Sequence, residues 1–170
     1  MGRANAALLY FSLSAMTSAS YALDAPTGET APSFNVQLIV TAKGREVLAA
    51  WERPSAVPFQ IEPVRVAPRG VFLSALVLFK GCRADDSGNC NAQMDVVALD
   101  PNGRVYGTMR ATELWQGKPA PPPGYTQLSL RYMGVVIEPN DPSGKYRVIV
   151  QARDLNSASS ATSETTFEVQ

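Results

Sequence analysis

Apolar and polar residues alternate along most of the chain, with the two-residue period of a half-buried β-strand. The alternation begins over residues 34–40 and returns at intervals until residues 165–169. Residues 71–79 (VFLSALVLF) are almost continuously apolar, which predicts a central strand covered on both faces. Further strands are predicted over 94–99, 105–109, 128–132, 134–137 and 146–152.

Prolines and glycines mark the connections between these strands. The chain has 13 prolines and 12 glycines, which interrupt any long helical period. Residues 47–51 are predicted as either a second strand or a short helix. Residues 100–103 (DPNG) have the residue pattern of a type I turn between two antiparallel strands.

Three other segments are predicted to be irregular. Pro54, Pro58, Pro63 and Pro68 indicate a loop or an edge strand, since proline cannot donate to a sheet ladder. Residues 114–125 contain four prolines, which predict an extended, polyproline-like crossing loop. The polar, serine-rich residues 154–161 are predicted as a loop.

Seven to nine short strands predict one all-β, antiparallel sandwich over residues 33–170. Within it, the segment DPSGKYRV places Gly144 two residues before Tyr146 and Val148 two residues after it. This segment resembles the tyrosine corner of immunoglobulin-like sandwiches, including those of bacterial secreted and periplasmic proteins. The resemblance implies that the Tyr146 hydroxyl donates a hydrogen bond to the backbone upstream and has a structural role.

The first 22 residues are predicted to be a signal peptide. Arg3 precedes an apolar stretch over residues 6–16, and small residues ending at Ala22 follow it. An apolar N-terminal core helix is disfavoured because the stretch has no amphipathic period. We therefore expect a periplasmic or secreted protein with a flexible leader over residues 23–32 and no integral membrane span after processing.

Export decides how the two cysteines are interpreted. Cys82 and Cys90 flank a short polar segment, and in an oxidising compartment this spacing predicts a disulfide at the mouth of a hairpin loop. A zinc site is disfavoured because the chain has no histidine. Asp85 and Asn89 have some likeness to a calcium-binding loop, but a polar turn explains these residues better because the expected glycine and glutamate are missing.

Composition narrows the possible chemistry. Without histidine, the commonest general base and metal ligand is missing. The 15 basic and 15 acidic residues balance, so we expect no binding to nucleic acid. Two carboxylate pairs are conceivable as catalysts, Asp85 with Asp95 and Glu138 with Asp141, but each lies in or beside a turn. We predict no catalytic residue, no metal and no cofactor.

A surface is the better functional hypothesis. The candidate binding surface consists of an aromatic, proline-rich segment: Trp115, Pro121, Pro122, Pro123 and Tyr125. Alternatively, Trp115 folds back to cover an edge or end of the sandwich, and Trp51 has the same ambiguity.

Three functions are compatible with this pattern. The first is a noncatalytic binding or structural module that contacts another envelope or extracellular protein or peptide. The second is a carbohydrate or small-ligand binder that stacks its ligand on Trp115, Tyr125 and Tyr132. The third is a hydrolase that works with carboxylates alone.

Overall fold

A computed structural model describes residues 33–53 and 60–170. The predicted signal peptide (1–22), the leader (23–32) and residues 54–59, with Pro54 and Pro58, lie outside the described residues. The described chain forms two facing β-sheets and one short helix, so the all-β sandwich is confirmed. Its elements in chain order are β1 (Asn35–Thr41), α1 (Gly44–Trp51), β2 (Val66–Ala67), β3 (Phe72–Lys80), β4 (Asn89–Leu99), β5 (Val105–Pro119), β6 (Gln127–Leu128), β7 (Met133–Val136), β8 (Gly144–Asp154) and β9 (Ser159–Val169).

The larger sheet has the strand order β2-β9-β8-β4-β5. Long antiparallel ladders join β9, β8, β4 and β5. The short edge strand β2 pairs with β9 in parallel, which corrects the expectation of a wholly antiparallel sandwich. A parallel pair is possible here because the long stretch between β2 and β9 lets the chain return in the same direction.

The smaller sheet is built on β3. β1 pairs along one side of it, and β6 and β7 share the other side. Seven consecutive residues of β3, from Leu73 to Phe79, are buried, so the prediction of a central strand covered on both faces is confirmed. One face packs into the core between the sheets, and the other lies beneath α1 in a second cluster with Val47 and Leu128.

The ambiguous residues 47–51 belong to α1 and form no second strand. Val47 is the buried apolar residue of the helix, and it contacts the outer face of the smaller sheet. Among the described residues, no helix has the length and apolarity needed to cross a bilayer.

Three boundaries differ from the predictions. Residues 114–119 belong to β5 and not to a crossing loop, because an edge strand tolerates Gly117 at positive φ and a terminal Pro119. The predicted loop over residues 154–161 is shorter than expected, since β8 ends at Asp154 and β9 begins at Ser159. The alternation over 128–132 is strand only to Leu128, after which Leu130 is exposed.

The structure confirms one predicted turn between strands and corrects another. The DPNG turn is confirmed, with the Gly103 N–H donating to the Asp100 carbonyl at 2.9 Å between β4 and β5. The cysteine segment is not a hairpin loop, because β3 and β4 lie in different sheets. The segment between Gly81 and Gly88 therefore crosses from one sheet to the other at one end of the sandwich.

Candidate functional site

A cleft of about 710 Å³ opens at the end of the sandwich where the chain crosses from β3 to β4. We call it the cysteine-loop cleft. One wall is the cysteine loop, residues 81–88, and the opposite wall is the proline segment, residues 120–123. Ser33 and Phe34 before β1, together with the turn between β8 and β9, complete the lining. The volume is within the range of ordinary ligand pockets.

The cysteine loop is held at its base by covalent and polar contacts. Cys82 and Cys90 form the predicted disulfide. Asp154, which is fully buried at the end of β8, accepts hydrogen bonds from the Arg83 N–H at 2.8 Å and the Ser157 hydroxyl at 2.7 Å. Its other carboxylate oxygen accepts from the Asn156 N–H at 3.0 Å. A buried carboxylate with three donors is well satisfied and orders the groups around it.

Asn156 connects the same turn to both ends of the loop. Its side-chain amide donates to the Arg83 carbonyl at 2.8 Å and to the Asn89 carbonyl at 2.9 Å. Its amide oxygen accepts from the Asn91 side chain at 3.2 Å. The Arg83 backbone is therefore bonded through its N–H and its carbonyl, so the wall of the cleft has a defined position.

The proline wall is fixed by its neighbours in β5. The Ala120 N–H donates to the Gly88 carbonyl at 3.0 Å, which joins the two walls directly. The Trp115 indole N–H donates to the Pro119 carbonyl at 3.0 Å, and its ring lies 5.8 Å from that of Phe79 in the core. Trp115 thus supports the start of the proline segment from below, as in the fold-back alternative.

The structure separates the predicted binding surface into three parts. Pro121, Pro122 and Pro123 line the cleft. Trp115 packs against the core, and Tyr125 is 67% exposed outside the cleft lining. The predicted stacking set is also divided, because Trp115 packs against the core between the sheets and Tyr132 packs in the cluster beneath α1.

The described lining combines apolar residues and serines with one cation. Its aromatic residue, Phe34, is 8% exposed and therefore offers little ring surface for stacking. Arg83 is the charged residue of the described lining, and its guanidinium forms no ion pair with any residue of 33–53 or 60–170. Burying an anion beside this side chain would therefore complete a charge pair within an apolar cleft.

The first conceivable carboxylate pair has structural partners. Asp85 accepts from the N–H groups of Ser87 and Asn89, each at 2.9 Å, and so orders the cysteine loop. Asp95 accepts from the Ala111 N–H at 2.7 Å and pairs with Arg153. Across the described residues, no group of three cysteine, aspartate or glutamate side chains is placed to hold a metal ion.

The second pair lies at the opposite end of the sandwich. Asp141 accepts from the Glu138 N–H at 2.7 Å and from the Tyr106 hydroxyl. The Tyr106 bond is the main cause that holds the pKa of Asp141 below its usual value, followed by the Glu138 N–H and the nearby Arg69. The pKa of Tyr106 is raised well above its usual value. Burial of its hydroxyl is the main cause, and the hydrogen bond to the Asp141 carboxylate is the second.

Tyr146 lies next to this group. Its hydroxyl donates to the Pro142 carbonyl, four residues upstream, at 3.0 Å. The ring is 1% exposed and stacks on Phe167 with the centroids 5.5 Å apart. This hydrogen bond has the direction that the resemblance to a tyrosine corner implies.

Several residues that shape the two ends were not singled out from the sequence. Asp154 and Asn156 lie in the predicted polar loop over residues 154–161, and Arg83 lies in the short polar segment between the two cysteines. Their spacing, D-x-N, is a signal for a side chain that binds the backbone two residues ahead. It could have predicted the turn, but not its contact with Arg83, which is more than 70 residues away in sequence.

The comparisons with known proteins add little to this geometry. No protein-family model matches the chain, and no curated protein sequence does. One similar solved structure is a family 123 glycoside hydrolase from Clostridium perfringens that acts on glycolipid glycans, with 10% identity and a TM-score of 0.40. The match covers 79% of this chain and 27% of that enzyme, so the chain spans about a quarter of the enzyme's length. Likeness at this level carries no argument about function.

Proposed function

We propose that the protein is an exported, noncatalytic module that binds an extended segment of another envelope or extracellular protein in the cysteine-loop cleft. The observation that carries this proposal is the cleft itself, an apolar groove between the cysteine loop and the proline segment, with Arg83 exposed in its lining and without an ion-pair partner in the described part of the chain. Binding residues are commonly carried on loops that a rigid sandwich positions.

The lining favours a peptide over a sugar. Sugar binding by stacking needs an exposed aromatic ring, and the one ring in the described lining, Phe34, is almost wholly buried. Pro121, Pro122 and Pro123 present rigid apolar surface that loses little entropy when a partner packs against it. Arg83 would then select a carboxylate on the bound segment.

Export is part of the proposal because a disulfide closes the loop that forms one wall of the site. Cys82 and Cys90 close the cysteine loop, and such bonds persist in oxidising compartments. The predicted signal peptide over residues 1–22 is in accord with that environment. A module of this kind would meet its partner in the periplasm or outside the cell.

The test uses selection from a display library of random 12-residue peptides. Enriched peptides are titrated against the protein, against Ala84→Trp and against Ala49→Trp. Ala84 lines the cleft and is exposed, so a tryptophan there is expected to take up part of the space that a peptide would use. Ala49 is an exposed position on α1, on the far side of the smaller sheet, and is the matched control.

We expect the selected peptides to bind the protein and Ala49→Trp with equal affinity. Ala84→Trp should weaken that binding at least tenfold, because a filled apolar site cannot accept the peptide side chains. The proposal is wrong if no peptide is enriched. It is equally wrong if Ala84→Trp binds the enriched peptides as well as the control does.

A further inference from the structure

We propose that Cys82 is the sulfur at which an external thiol opens the disulfide with Cys90, and that the thiol reaches it from inside the cysteine-loop cleft. The product is a mixed disulfide on Cys82 and a free thiol on Cys90. The wall of the cleft is then also a site of thiol exchange. Only the effect of this exchange on peptide binding rests on the proposed function.

The first argument is that the two sulfurs differ in access. Cys82 lines the cleft and is 8% exposed. Cys90 is 0% exposed and does not belong to the described lining, because its position in the alternation of β4 turns it into the core between the sheets. Access decides which sulfur of a disulfide a thiolate attacks. In the folded protein the cleft therefore gives an approach to Cys82 and none to Cys90.

The second argument is what surrounds Cys90. Its Sγ lies 3.7 Å from the Trp115 carbonyl oxygen on β5, the strand that pairs with β4 along this stretch. The Trp115 ring packs in turn against Phe79. A thiolate could reach the Cys90 sulfur only after this part of the sandwich had opened locally, which is a rarer event than entry into an open cleft.

The exchange step conserves the number of disulfide bonds. The thiolate of a small monothiol, such as glutathione, attacks the Cys82 Sγ and forms a new S–S bond to it. The bond between Cys82 and Cys90 breaks, and its electron pair leaves on the Cys90 sulfur, which takes a proton from water. A second thiolate can then displace the first from Cys82. This releases the oxidised dimer of the external thiol and leaves both cysteines reduced, a two-electron reduction by two monothiols.

The exchange removes the covalent closure of the cysteine loop but not all of its contacts. Asp154 and Asn156 still bind the backbone of Arg83. The thiol attached to Cys82 lies in the space that a peptide would use. Peptide and thiol therefore compete for the cleft. By thermodynamic linkage, a peptide that binds the disulfide form more tightly must also favour the disulfide over its opened form.

The first experiment locates the attacked sulfur without any peptide. The oxidised protein is incubated with glutathione, quenched with acid at intervals, and alkylated in denaturant, and peptide mass spectrometry then locates the glutathione. The same reaction in urea is the reference, because both sulfurs are accessible there. We expect about tenfold more glutathione on Cys82 than on Cys90 in the folded protein, and similar amounts on both in urea.

The rate gives a second measurement. We expect exchange within about minutes to hours, at a rate that rises in proportion to the glutathione concentration. The assignment is overturned if the folded protein gives the same distribution as the protein in urea. It is also overturned if the rate reaches a plateau as glutathione is raised, because unfolding would then precede the attack.

The route through the cleft is tested with two tryptophan variants. Ala84→Trp takes up space in the cleft and should slow the attack on Cys82 about fivefold relative to Ala49→Trp, whose side chain is on α1. Circular dichroism confirms that both variants are folded. Equal rates in the two variants would overturn the route.

The last experiment separates the regulation from the proposed function. A saturating display-selected peptide should slow the attack on Cys82 about fivefold, because it covers the approach to the sulfur. Attack at Cys82 without any enriched peptide would refute the proposed function and retain the exchange site. Peptide binding together with attack at Cys90 would refute the exchange site and retain the proposed function. Peptide binding that leaves the rate of attack unchanged would refute the competition.

Discussion

Tyr146 shows how a single side chain joins the loop before β8 to the core. Its ring lies between two other aromatic rings, stacked on Phe167 and edge-on to Tyr106 at 5.4 Å. Its hydroxyl reaches the Pro142 carbonyl at the edge of the buried region. The apolar and polar contributions of this residue can therefore be tested separately.

We expect Tyr146→Phe to lower the free energy of unfolding by about 1–2 kcal/mol, because the ring packing remains and one hydrogen bond to a backbone carbonyl is lost. Urea denaturation followed by circular dichroism measures the change. Tyr125→Phe is the matched control, since the Tyr125 ring is 67% exposed. An unchanged midpoint in Tyr146→Phe would mean that the hydroxyl does not contribute to stability.

For single residues, the sequence predicted local contacts better than contacts with residues far away in the chain. The DPSGKYRV segment indicated a local hydrogen bond of Tyr146, because donor and acceptor are four residues apart. The sequence allowed two positions for the Trp115 side chain, exposed in a binding surface or folded back on the sandwich. The observed position depends on packing against Phe79, which lies in the other sheet. Arg83 gave no signal, since the place of an arginine in a cleft is recognised only once its surroundings are known.

At the scale of elements, α1 covers the smaller sheet through a contact that requires glycine. A Cβ added at Gly44 would lie 2.1 Å from the Ser74 Oγ and 2.5 Å from the Ser74 Cβ. Both distances are too short for non-bonded atoms, so the added Cβ would clash with the Ser74 side chain. Ser74 is buried on β3, so it cannot move aside. A Cβ at Gly134 also meets a close neighbour, but that neighbour is the half-exposed ring of Phe72.

We expect Gly44→Ala to lower the free energy of unfolding by about 1–3 kcal/mol, because the helix must shift away from β3. Gly134→Ala should cost less, since the Phe72 ring can rotate into solvent. Thermal unfolding of both variants tests the difference. Ser74→Gly combined with Gly44→Ala should lose less than the sum of the single changes, and strict additivity would contradict the proposed contact.

The disulfide between Cys82 and Cys90 also acts at the scale of elements, because it closes the loop between β3 and β4. It closes a loop with a sequence separation of eight residues at the wall of the cleft. Replacing both Cys82 and Cys90 by alanine should lower the free energy of unfolding by about 2.5 kcal/mol in the chain-entropy model. The same loss should appear when the wild type is unfolded in a reducing agent.

The control for this prediction is the double alanine variant itself, whose stability should not respond to reductant. The variant should also bind the display-selected peptides more weakly, because the cysteine loop forms one wall of the cleft. A reduced protein as stable as the oxidised one would show that the hydrogen bonds to Asp154 hold the loop unaided.

Elements differed in how well their patterns predicted them. The run over β3 indicated a fully buried strand because both of its faces are covered. The end of β5 was wrongly predicted as a loop because prolines and glycines usually end strands. An edge strand with several register shifts accommodates them. The helical period of α1 spans only about two turns, which is too short to decide against a strand.

At the scale of the whole molecule, each end of the sandwich has an aspartate that connects segments distant in sequence. Asp154 fixes the cysteine loop at one end, and Asp141 joins the chain around residues 138–141 to Tyr106 at the other. Arg69 adds to the second end by donating to the carbonyls of Glu138 and Asp141, each at 2.9 Å. These contacts connect segments from both sheets and close the core between them.

Such long-range contacts set the limit of sequence reasoning here. Alternation indicates that a strand is half buried, but it does not indicate which strand it pairs with. The crossing from β3 to β4 was therefore predicted as a hairpin, and the cleft that the crossing creates was not predicted. Pro121, Pro122 and Pro123 were selected because rigid loops bind partners, and only the fold brings them opposite the cysteine loop.

Asp141 makes the stability of the whole fold depend on pH in a predictable direction. The hydrogen bond from Tyr106 lowers the pKa of Asp141 in the folded protein, so the unfolded chain takes up the proton first as the pH falls. Its contribution is present above the ordinary aspartate pKa of about 4 and is lost as the pH falls through the lower, folded value.

Asp141→Asn should therefore be less stable than the wild type at neutral pH, and the difference should begin to shrink as the pH falls below the ordinary aspartate pKa of about 4, because protonation then favours the unfolded wild-type chain. Urea denaturation midpoints at a series of pH values between 7 and 3 measure it. Asp86→Asn is the control, because Asp86 is exposed in the cysteine loop and should show a small difference throughout. Tyr106→Phe removes the donor and should also give a difference that narrows towards low pH, since the bond from Tyr106 is the main cause that lowers the pKa of Asp141. A difference that stays constant from pH 7 to pH 3 would show that Asp141 acts through packing rather than through its charge.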